Sequence, residues 1–314
     1  MTNPPRMEVS LGGLRLRNPV LTASGTCGSG LELAPWADLS VLGGVVGKTV
    51  TREPRAGNPP PRTFETPSGM LNSIGLQNPG IDGFLRDVLP EVAAAGYVFI
   101  ANVAGDSPGD FADLARRLEE SPHRGALAGL EANLSCPNVA GGLDFSIDPV
   151  LAATVVAGIR AATTLPLLAK LSPNVTDVRP LARACEDAGA DAVTLVNTYL
   201  GAAVDWRRRK PIFSRVVAGL SGAAIKPLAL FQVWRASSAV DIPVVGIGGL
   251  HSAEDALEMM AAGATAVQIG TALFRSPTAA NDLLREMERL LAEEGIADVK
   301  DLVGTLEPRA GRGP

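Results

Sequence analysis

The chain has 314 residues and a formal net charge of −5, and aromatic residues make up only 4% of it. That length suits one large α/β domain, and the acidic balance argues against a general nucleic-acid surface. Residues 1–10 lack the apolar core of a signal peptide, and no window reaches about 18 uninterrupted apolar residues. We therefore expect a cytoplasmic protein that does not cross a membrane.

Short apolar runs alternate along the chain with longer amphipathic runs, a pattern typical of parallel βα units. The predicted strands, in chain order, are 19–24, 44–50, 98–104, 128–134, 166–172, 192–197, 242–247 and 266–270. The predicted helices include 111–120, 149–162, 177–188, 223–238, 252–262 and 280–294, with Asp177, Gly189 and Gly263 as caps. Eight strands with crossover helices predict a (β/α)8 TIM barrel. We expect one domain over 1–314, with loose ends at about 1–6 and 305–314.

Two insertions interrupt this rhythm. Residues 53–80 are rich in Pro, Gly and Asn, and residues 199–221 carry the basic cluster Arg207–Lys210, which we interpret as a solvated loop. Both insertions follow strand ends, so we expect them to form lids over the C-terminal face of the barrel. The nearby arginines are expected to serve the structure of the first lid; they are Arg52, Arg55 and Arg62.

Every predicted strand ends in small or polar residues. These ends read Ser24-Gly25, Lys48-Thr49, Asn102, Asn133-Ser135-Cys136, Lys170, Asn197-Thr198, Gly248-Gly249 and Gly270-Thr271. In a barrel such ends converge on the face where active sites are built, which predicts a site there. The two lysines follow apolar runs and indicate an anion or cofactor, although their side chains could instead reach solvent. The glycines at the last two strand ends suit a phosphate site, with simple turn chemistry as the alternative.

The three cysteines form no C-x-x-C pair, which argues against a disulfide framework, a zinc site or an iron–sulfur site. Cys136 lies among Asn, Ser and Pro rather than apolar neighbours, so its setting favours chemistry over packing. Cys27 and Cys185 are assigned to packing. The only histidines, His123 and His251, receive no role, and no metal site is predicted.

Several strings together resemble one family. They are NPVLTASG (18–25), GKTVTREPRAGNPPPR (47–62), GMLNSIGLQNPG (69–80), NLSCPNV (133–139), KLSPNVTD (170–177), LVNTYLG (195–201), GLSGAAIKP (219–227), VVGIGGL (244–250) and VQIGTALF (267–274). From about residue 7 to 304 the chain resembles the catalytic subunit of class 1B dihydroorotate dehydrogenases. The resemblance implies FMN at the barrel mouth and the oxidation of (S)-dihydroorotate to orotate, the redox step of pyrimidine (UMP) biosynthesis.

The resemblance also implies residue roles. Cys136 matches the family's base, which removes the C5 proton while the C6 hydride passes to FMN N5, and Lys170 would lie near flavin N1. The implied FMN contacts are Ala23, Ser24, Gly25, Lys48, Thr49, Asn102, Asn133, Lys170, Val196, Gly222, Gly248, Gly249, Gly270 and Thr271. The implied substrate contacts are Lys48, Asn72, Ser73, Ile74, Gly75, Leu76, Asn133, Asn197 and Thr198. The chain departs from its relatives at Cys27 and Ser29, where they often carry aromatic residues, which puts the packing beneath the flavin face in doubt.

The resemblance to class 1B implies a homodimer that forms a heterotetramer with a subunit carrying FAD and a [2Fe–2S] cluster, through which electrons reach NAD. Three scattered cysteines cannot supply the four usual cluster ligands, so these groups are expected on another chain. Three alternatives stay open: a fumarate-dependent class 1A enzyme, a dihydropyrimidine dehydrogenase-like activity on dihydrouracil, and a flavin-binding module without catalysis. The quinone-linked class 2 is disfavoured because it has an N-terminal membrane-associating extension and a serine base.

Overall fold

The fold is a closed barrel of eight parallel strands, seen in a computed structural model that describes residues 4–135, 145 and 147–307. The strands are β1 (Val20–Thr22), β2 (Gly44–Val46), β3 (Phe99–Val103), β4 (Leu127–Asn133), β5 (Leu167–Lys170), β6 (Ala192–Leu195), β7 (Val244–Ile247) and β8 (Ala264–Ile269). Each strand pairs with the next in chain order, and β8 closes the barrel on β1. The predicted (β/α)8 TIM barrel is confirmed, and each of the eight predicted strands is present within a few residues of its expected bounds.

Helices follow the strands and cover the barrel. They are Gly80–Gly83, Leu89–Ala95, Pro108–Glu119, Pro149–Ala162, Arg179–Asp187, Lys226–Ser237, Ala253–Ala261, Ala272–Arg275 and Ala279–Glu293, with a π-helical turn at Phe84–Val88. Short 3₁₀ turns lie at Leu39–Val41, Arg124–Ala126, Ala223–Ile225 and Val299–Leu302.

Local chemistry sets the ends of these helices. Helix Pro108–Glu119 begins three residues before its predicted start, because Ser107 and Asp110 form a reciprocal capping box. Helix Arg179–Asp187 begins two residues after its predicted start, and its N-cap is Val178 rather than the predicted Asp177. The Asp177 carboxylate still accepts a hydrogen bond from the Arg179 N–H at 3.1 Å. Gly189 and Gly263 follow two helix ends with φ of +97° and +118°, the left-handed conformation that glycine adopts without steric cost.

The two insertions pair with each other in a single antiparallel sheet. Its strands lie in the order Tyr199–Gly201, Ala218–Ser221, Gly69–Asn72, Thr63–Thr66. We call this four-stranded sheet the roof. Within the second insertion, Val204–Asp205 and Lys210–Pro211 form a separate short hairpin around the basic cluster. The roof therefore joins two parts of the chain that are far apart in sequence.

Arg55 and Arg62 stabilise the first insertion. The Arg62 side chain donates to the carbonyl oxygens of Asn58, at 2.5 Å, and Ala56, at 3.0 Å. Arg55 pairs with Asp106 at 2.7 Å and so ties the insertion to the loop that follows β3. These contacts are internal to the lid and its attachment, as expected for arginines without a ligand role.

The opposite end of the barrel is closed by a hairpin, Val9–Leu11 with Leu14–Leu16, whose leucines are buried. Arg6, expected in a loose end, instead donates its N–H to Ala297 O and forms a 3.1 Å ion pair with Asp298. Leu306 likewise donates to Ala261 O. Backbone hydrogen bonds hold both ends of the described chain against the barrel. No helix among the described residues is long and apolar enough to cross a membrane.

Candidate active site

A cavity of about 890 Å³ lies between the C-terminal ends of the barrel strands and the roof. It brings together nearly all of the sequence-predicted site residues. Those that line it are Ala23, Ser24, Gly25, Lys48, Thr49, Asn72, Ser73, Ile74, Gly75, Leu76, Asn133, Lys170, Val196, Asn197, Thr198, Gly222, Gly248, Gly249, Gly270 and Thr271. Asn102 is the exception among the described residues, and Cys136 lies outside the residues that the structure describes.

Side-chain amides cluster at the end of β4. Asn133 Oδ1 accepts hydrogen bonds from Asn197 Nδ2 at 3.1 Å and from Ser135 Oγ at 2.9 Å, and Asn197 also donates to Ser135. Asn174, which the sequence reasoning missed, lines the same wall and donates to Thr198 O at 3.1 Å. An amide offers both a donor and an acceptor, so this cluster suits a planar ligand that carries both kinds of group.

The roof contributes polar groups from above. Asn72 Nδ2 donates to Gly219 O at 3.2 Å across two roof strands, which fixes the Asn72 side chain over the cavity. Asn58, a second residue that was not predicted from the sequence, donates to Ser73 Oγ at 2.9 Å. These contacts hold the Asn72 and Asn58 side chains at the wall of the cavity.

Two lysines are among the cationic side chains that line the cavity. Lys170 has only 4% of its surface exposed, and Lys48 also lines the cavity wall. The pKa of Lys48 is lowered, first by burial and then by the positive charge of Lys170. Because both causes disfavour the ammonium form, an anionic ligand placed between the lysines would relieve them. The pair therefore favours binding of a negatively charged group.

A buried polar layer forms the floor of the cavity. Glu131, with no exposed surface, accepts hydrogen bonds from Asn102 Nδ2 at 2.7 Å and Gln268 Nε2 at 2.6 Å, and lies 3.6 Å from Lys170 Nζ. Asn102 therefore supports the floor and does not line the cavity. Sequence reasoning missed Glu131 and Gln268. The available signal was a lone carboxylate inside the apolar run 127–134, since buried charges require a partner.

Glycines shape one corner of the cavity, next to β7 and β8. Gly222, Gly248 and Gly249 have φ of +91°, +130° and +78°. A Cβ on Gly249 would lie 2.6 Å from the backbone nitrogen of Lys226, so the turn packs directly against the start of a helix. The Thr271 hydroxyl donates to Ser221 Oγ at 2.8 Å on the same corner. A Cβ at any of these three glycines would collide with neighbouring protein atoms, so glycine lets the backbone itself line this corner of the cavity, as close approach to a phosphate requires.

Cys27 and Cys185 are buried away from the cavity lining, as expected for packing residues. Burial raises the pKa of Cys27 to about 11 and that of Cys185 to about 12. Burial thus disfavours the thiolate, which is the reactive form. We expect neither cysteine to react with iodoacetamide at pH 8 in the folded Cys136→Ala variant, and both to react in guanidinium, as measured by mass spectrometry. Rapid labelling of the folded variant would contradict this assignment.

Comparison with known proteins identifies relatives of nearly full length. A family model described as "Dihydroorotate dehydrogenase" matches residues 6–291. A dihydroorotate dehydrogenase B (NAD(+)) catalytic subunit from Pelobacter propionicus is 54% identical over 304 residues, which cover 96% of this chain and 99% of that protein. The chain belongs to the dihydroorotate dehydrogenase family. Proteins of the same description from Trichlorobacter lovleyi and Desulforudis audaxviator are 53% and 49% identical, over 96% and 98% of this chain and 99% of each relative.

Membership of the dihydroorotate dehydrogenase family makes the chain an oxidoreductase and confirms the resemblance predicted from the sequence strings. The class 1B type is also confirmed, because these relatives carry the description of NAD-linked catalytic subunits. A crystal structure of DHODH from Eimeria tenella in complex with ferulenol superposes with a TM-score of 0.80 at 22% identity, covering 96% of this chain and 88% of that one. At that identity the likeness supports the barrel fold alone.

Proposed function

We propose that this chain oxidises (S)-dihydroorotate to orotate with FMN as its cofactor, as the redox step of pyrimidine biosynthesis. The observation that carries the proposal is the convergence, in one cavity, of two lysines, an asparagine cluster and a glycine corner. Each of these groups suits binding of a different part of FMN or of dihydroorotate. The family and the NAD-linked descriptions of the relatives support the same reaction.

The residues around the cavity fit FMN. Its volume of about 890 Å³ lies in the range of ~300–1,000 Å³ typical of cofactor and ligand sites. The glycine corner suits the phosphate, and the lysines suit negative charge on the ring. Gln268 Oε1 is buried without a partner among the described residues and could accept from a ring N–H or a ribityl hydroxyl. When bound, FMN would accept the C6 hydride of the substrate at N5.

Orotate is a planar anion with alternating donors and acceptors around its ring. Asn72, Asn133 and Asn197 offer both kinds of group and approach the cavity from the roof and from the barrel. Lys48 would meet the negative charge of the substrate, which relieves the lowering of its pKa. The segment 73–76 and Thr198 also line the cavity and complete the proposed substrate contacts.

Cys136 is the proposed base that takes the C5 proton. It follows Ser135, whose hydroxyl donates to Asn133 and accepts from Asn197, so the strand end that leads into Cys136 is fixed by three side chains. A base works through its thiolate and must be held at one position to contribute its usual ~10²–10⁴-fold. Ser135 could pass the proton onward, since a hydroxyl both accepts and donates.

Electrons would leave the chain through a partner. We propose a homodimer that joins a subunit carrying FAD and a [2Fe–2S] cluster in a heterotetramer in the cytoplasm, with NAD as the final acceptor. The description of the relatives as catalytic subunits supports a partner. No group of three His, Cys, Asp or Glu residues in the described part of the chain could hold a metal ion.

The test is anaerobic bleaching of the FMN-loaded chain. Dihydroorotate should reduce the flavin and dihydrouracil should not, because only dihydroorotate carries the carboxylate that the lysines would bind. The isolated chain should then reduce an artificial dye but reduce NAD only when the partner subunit is added. Bleaching by dihydrouracil would instead indicate dihydropyrimidine dehydrogenase-like chemistry. Turnover with fumarate would instead indicate the class 1A reaction. Efficient NAD reduction by the pure chain would show that no partner subunit is needed.

A further inference from the structure

Glu131 is a carboxylate without exposed surface in the middle of β4, and it has no role in the reaction proposed above. Each of its oxygens accepts one hydrogen bond: Oε1 accepts from Asn102 and lies 3.6 Å from the Lys170 ammonium, while Oε2 accepts from Gln268. Two amide donors and a lysine ammonium therefore surround this carboxylate, which places it as a counter-charge to a cation. Burial of a charge is costly even when it is paired, which makes its position beneath a cofactor site informative.

Lys170 depends on this carboxylate for its counter-charge. Among the described residues, Glu131 is the only acidic group within ion-pair distance of Lys170. The described residues that line the cavity include the cationic groups Lys48, Lys170 and Arg215 and the titratable His251, but no Asp or Glu. Glu131 therefore places a negative group directly beneath the cavity lining, beside Lys170.

We propose that Glu131 is a positioning residue that holds the Lys170 ammonium at the cavity floor and offsets part of its charge, and thereby lowers the reduction potential of the bound flavin. The inference rests on the FMN site proposed above. Cations beside a flavin favour its reduced form, because reduction adds negative charge to the ring, and a carboxylate behind the cation opposes that effect. A flavin that binds electrons less strongly passes them more easily toward a weakly oxidising acceptor such as NAD.

The test is the midpoint potential of the Glu131→Gln enzyme, measured without substrate in an anaerobic titration against a reference dye. Glutamine keeps the shape and removes the charge. Its amide can find acceptors, because Asn102 Oδ1 and Gln268 Oε1 are buried without partners among the described residues and either amide can turn over. We expect the equilibrium between oxidised and reduced flavin to shift at least about tenfold toward the reduced form, which is about 30 mV for a two-electron couple.

Two further variants identify the charge as the cause. Glu131→Asp keeps the carboxylate and should retain a potential close to that of the wild type. Glu120→Gln removes the same unit charge from an exposed helix position that pairs with Arg116, and should leave the potential unchanged. If Glu131 served only packing, its variants would change the free energy of unfolding. The midpoint potential would then not rise in Glu131→Gln while staying close to the wild-type value in Glu131→Asp.

A Glu131→Gln potential equal to or below that of the wild type would overturn the proposal. If the apoprotein of that variant does not fold, purification with FMN present stabilises the folded state and allows the same comparison. The outcomes separate this inference from the proposed function. A wild-type chain that binds no FMN removes the function itself, whereas a wild type that binds FMN and reacts with dihydroorotate, with no rise in potential on loss of the Glu131 charge, removes only the role of Glu131.

Discussion

Replacement of Cys136 by alanine is expected to slow reduction of the flavin by dihydroorotate by about 10²–10⁴-fold, while the protein keeps its yellow FMN. The reason is that alanine removes the proposed base but leaves the cavity residues that would hold the cofactor. Stopped-flow absorbance under anaerobic conditions measures the rate of flavin bleaching, and the visible spectrum measures FMN content. The large effect falls on the chemical step rather than on cofactor binding.

Cys27→Ala provides the matched control, because it also removes one thiol but from a buried position outside the described cavity lining. The Cys27 thiol donates to Thr22 Oγ1 at 3.3 Å and has a pKa raised to about 11, so it is poorly suited to act as a base. The control should bleach at the wild-type rate. Unchanged kinetics in Cys136→Ala, or a comparable loss in Cys27→Ala, would remove Cys136 from the mechanism.

Replacement of Gly249 by alanine is expected to weaken FMN binding at least about tenfold, or about 1.4 kcal/mol. The added Cβ would lie 2.6 Å from the backbone nitrogen of Lys226, and backbone atoms at that distance must move. The corner proposed to hold the phosphate would then change shape. Quenching of free FMN fluorescence on titration with the apoprotein measures the dissociation constant, and denaturant unfolding of the apoprotein measures the accompanying loss of stability.

Gly96→Ala separates steric displacement from backbone strain. Gly96 has φ of +74°, close to the +78° of Gly249, but a Cβ there meets nothing within 4 Å. Both variants should lose the ~1–2 kcal/mol that an L-residue incurs in the left-handed region. Only Gly249→Ala should also lose FMN affinity. Equal affinities in the two variants would show that the corner at Gly249 does not contact the cofactor.

The strand ends explain why so much of the candidate site could be predicted from the sequence. Parallel strands of a barrel all point their carboxyl ends at one face, so the sequence alone assigns Lys48, Asn133, Lys170 and Gly249 to one cavity. The prediction needed only the eight strands and their order. Such reasoning is strong for residues at the ends of regular elements, since the fold itself brings them together.

Residues that act through side-chain contacts across the barrel were harder to predict. Glu131 and Gln268 lie 137 positions apart in sequence and meet because their strands face each other inside the barrel. Asn102 is a second example. Its place at a strand end predicted a cavity residue, but its side chain instead donates to the buried carboxylate of Glu131. Linear patterns indicate which face a residue occupies, whereas the partner it selects there depends on packing in three dimensions.

The pairing of the two insertions in the roof was not predicted, because cross-strand register between distant segments leaves little local signal.

The long sequence separation of the roof strands determines when the roof can form as the chain is synthesised. The hydrogen bond from Asn72 to Gly219 spans 147 residues, and the barrel closes only when β8 pairs with β1. Contacts of such long range form slowly, because loop-closure entropy must be overcome first. During synthesis the roof therefore cannot form before residues 218–221 have been made, and the barrel cannot close before residues 267–269 have been made. The complete cavity therefore cannot form until both of these segments have been synthesised.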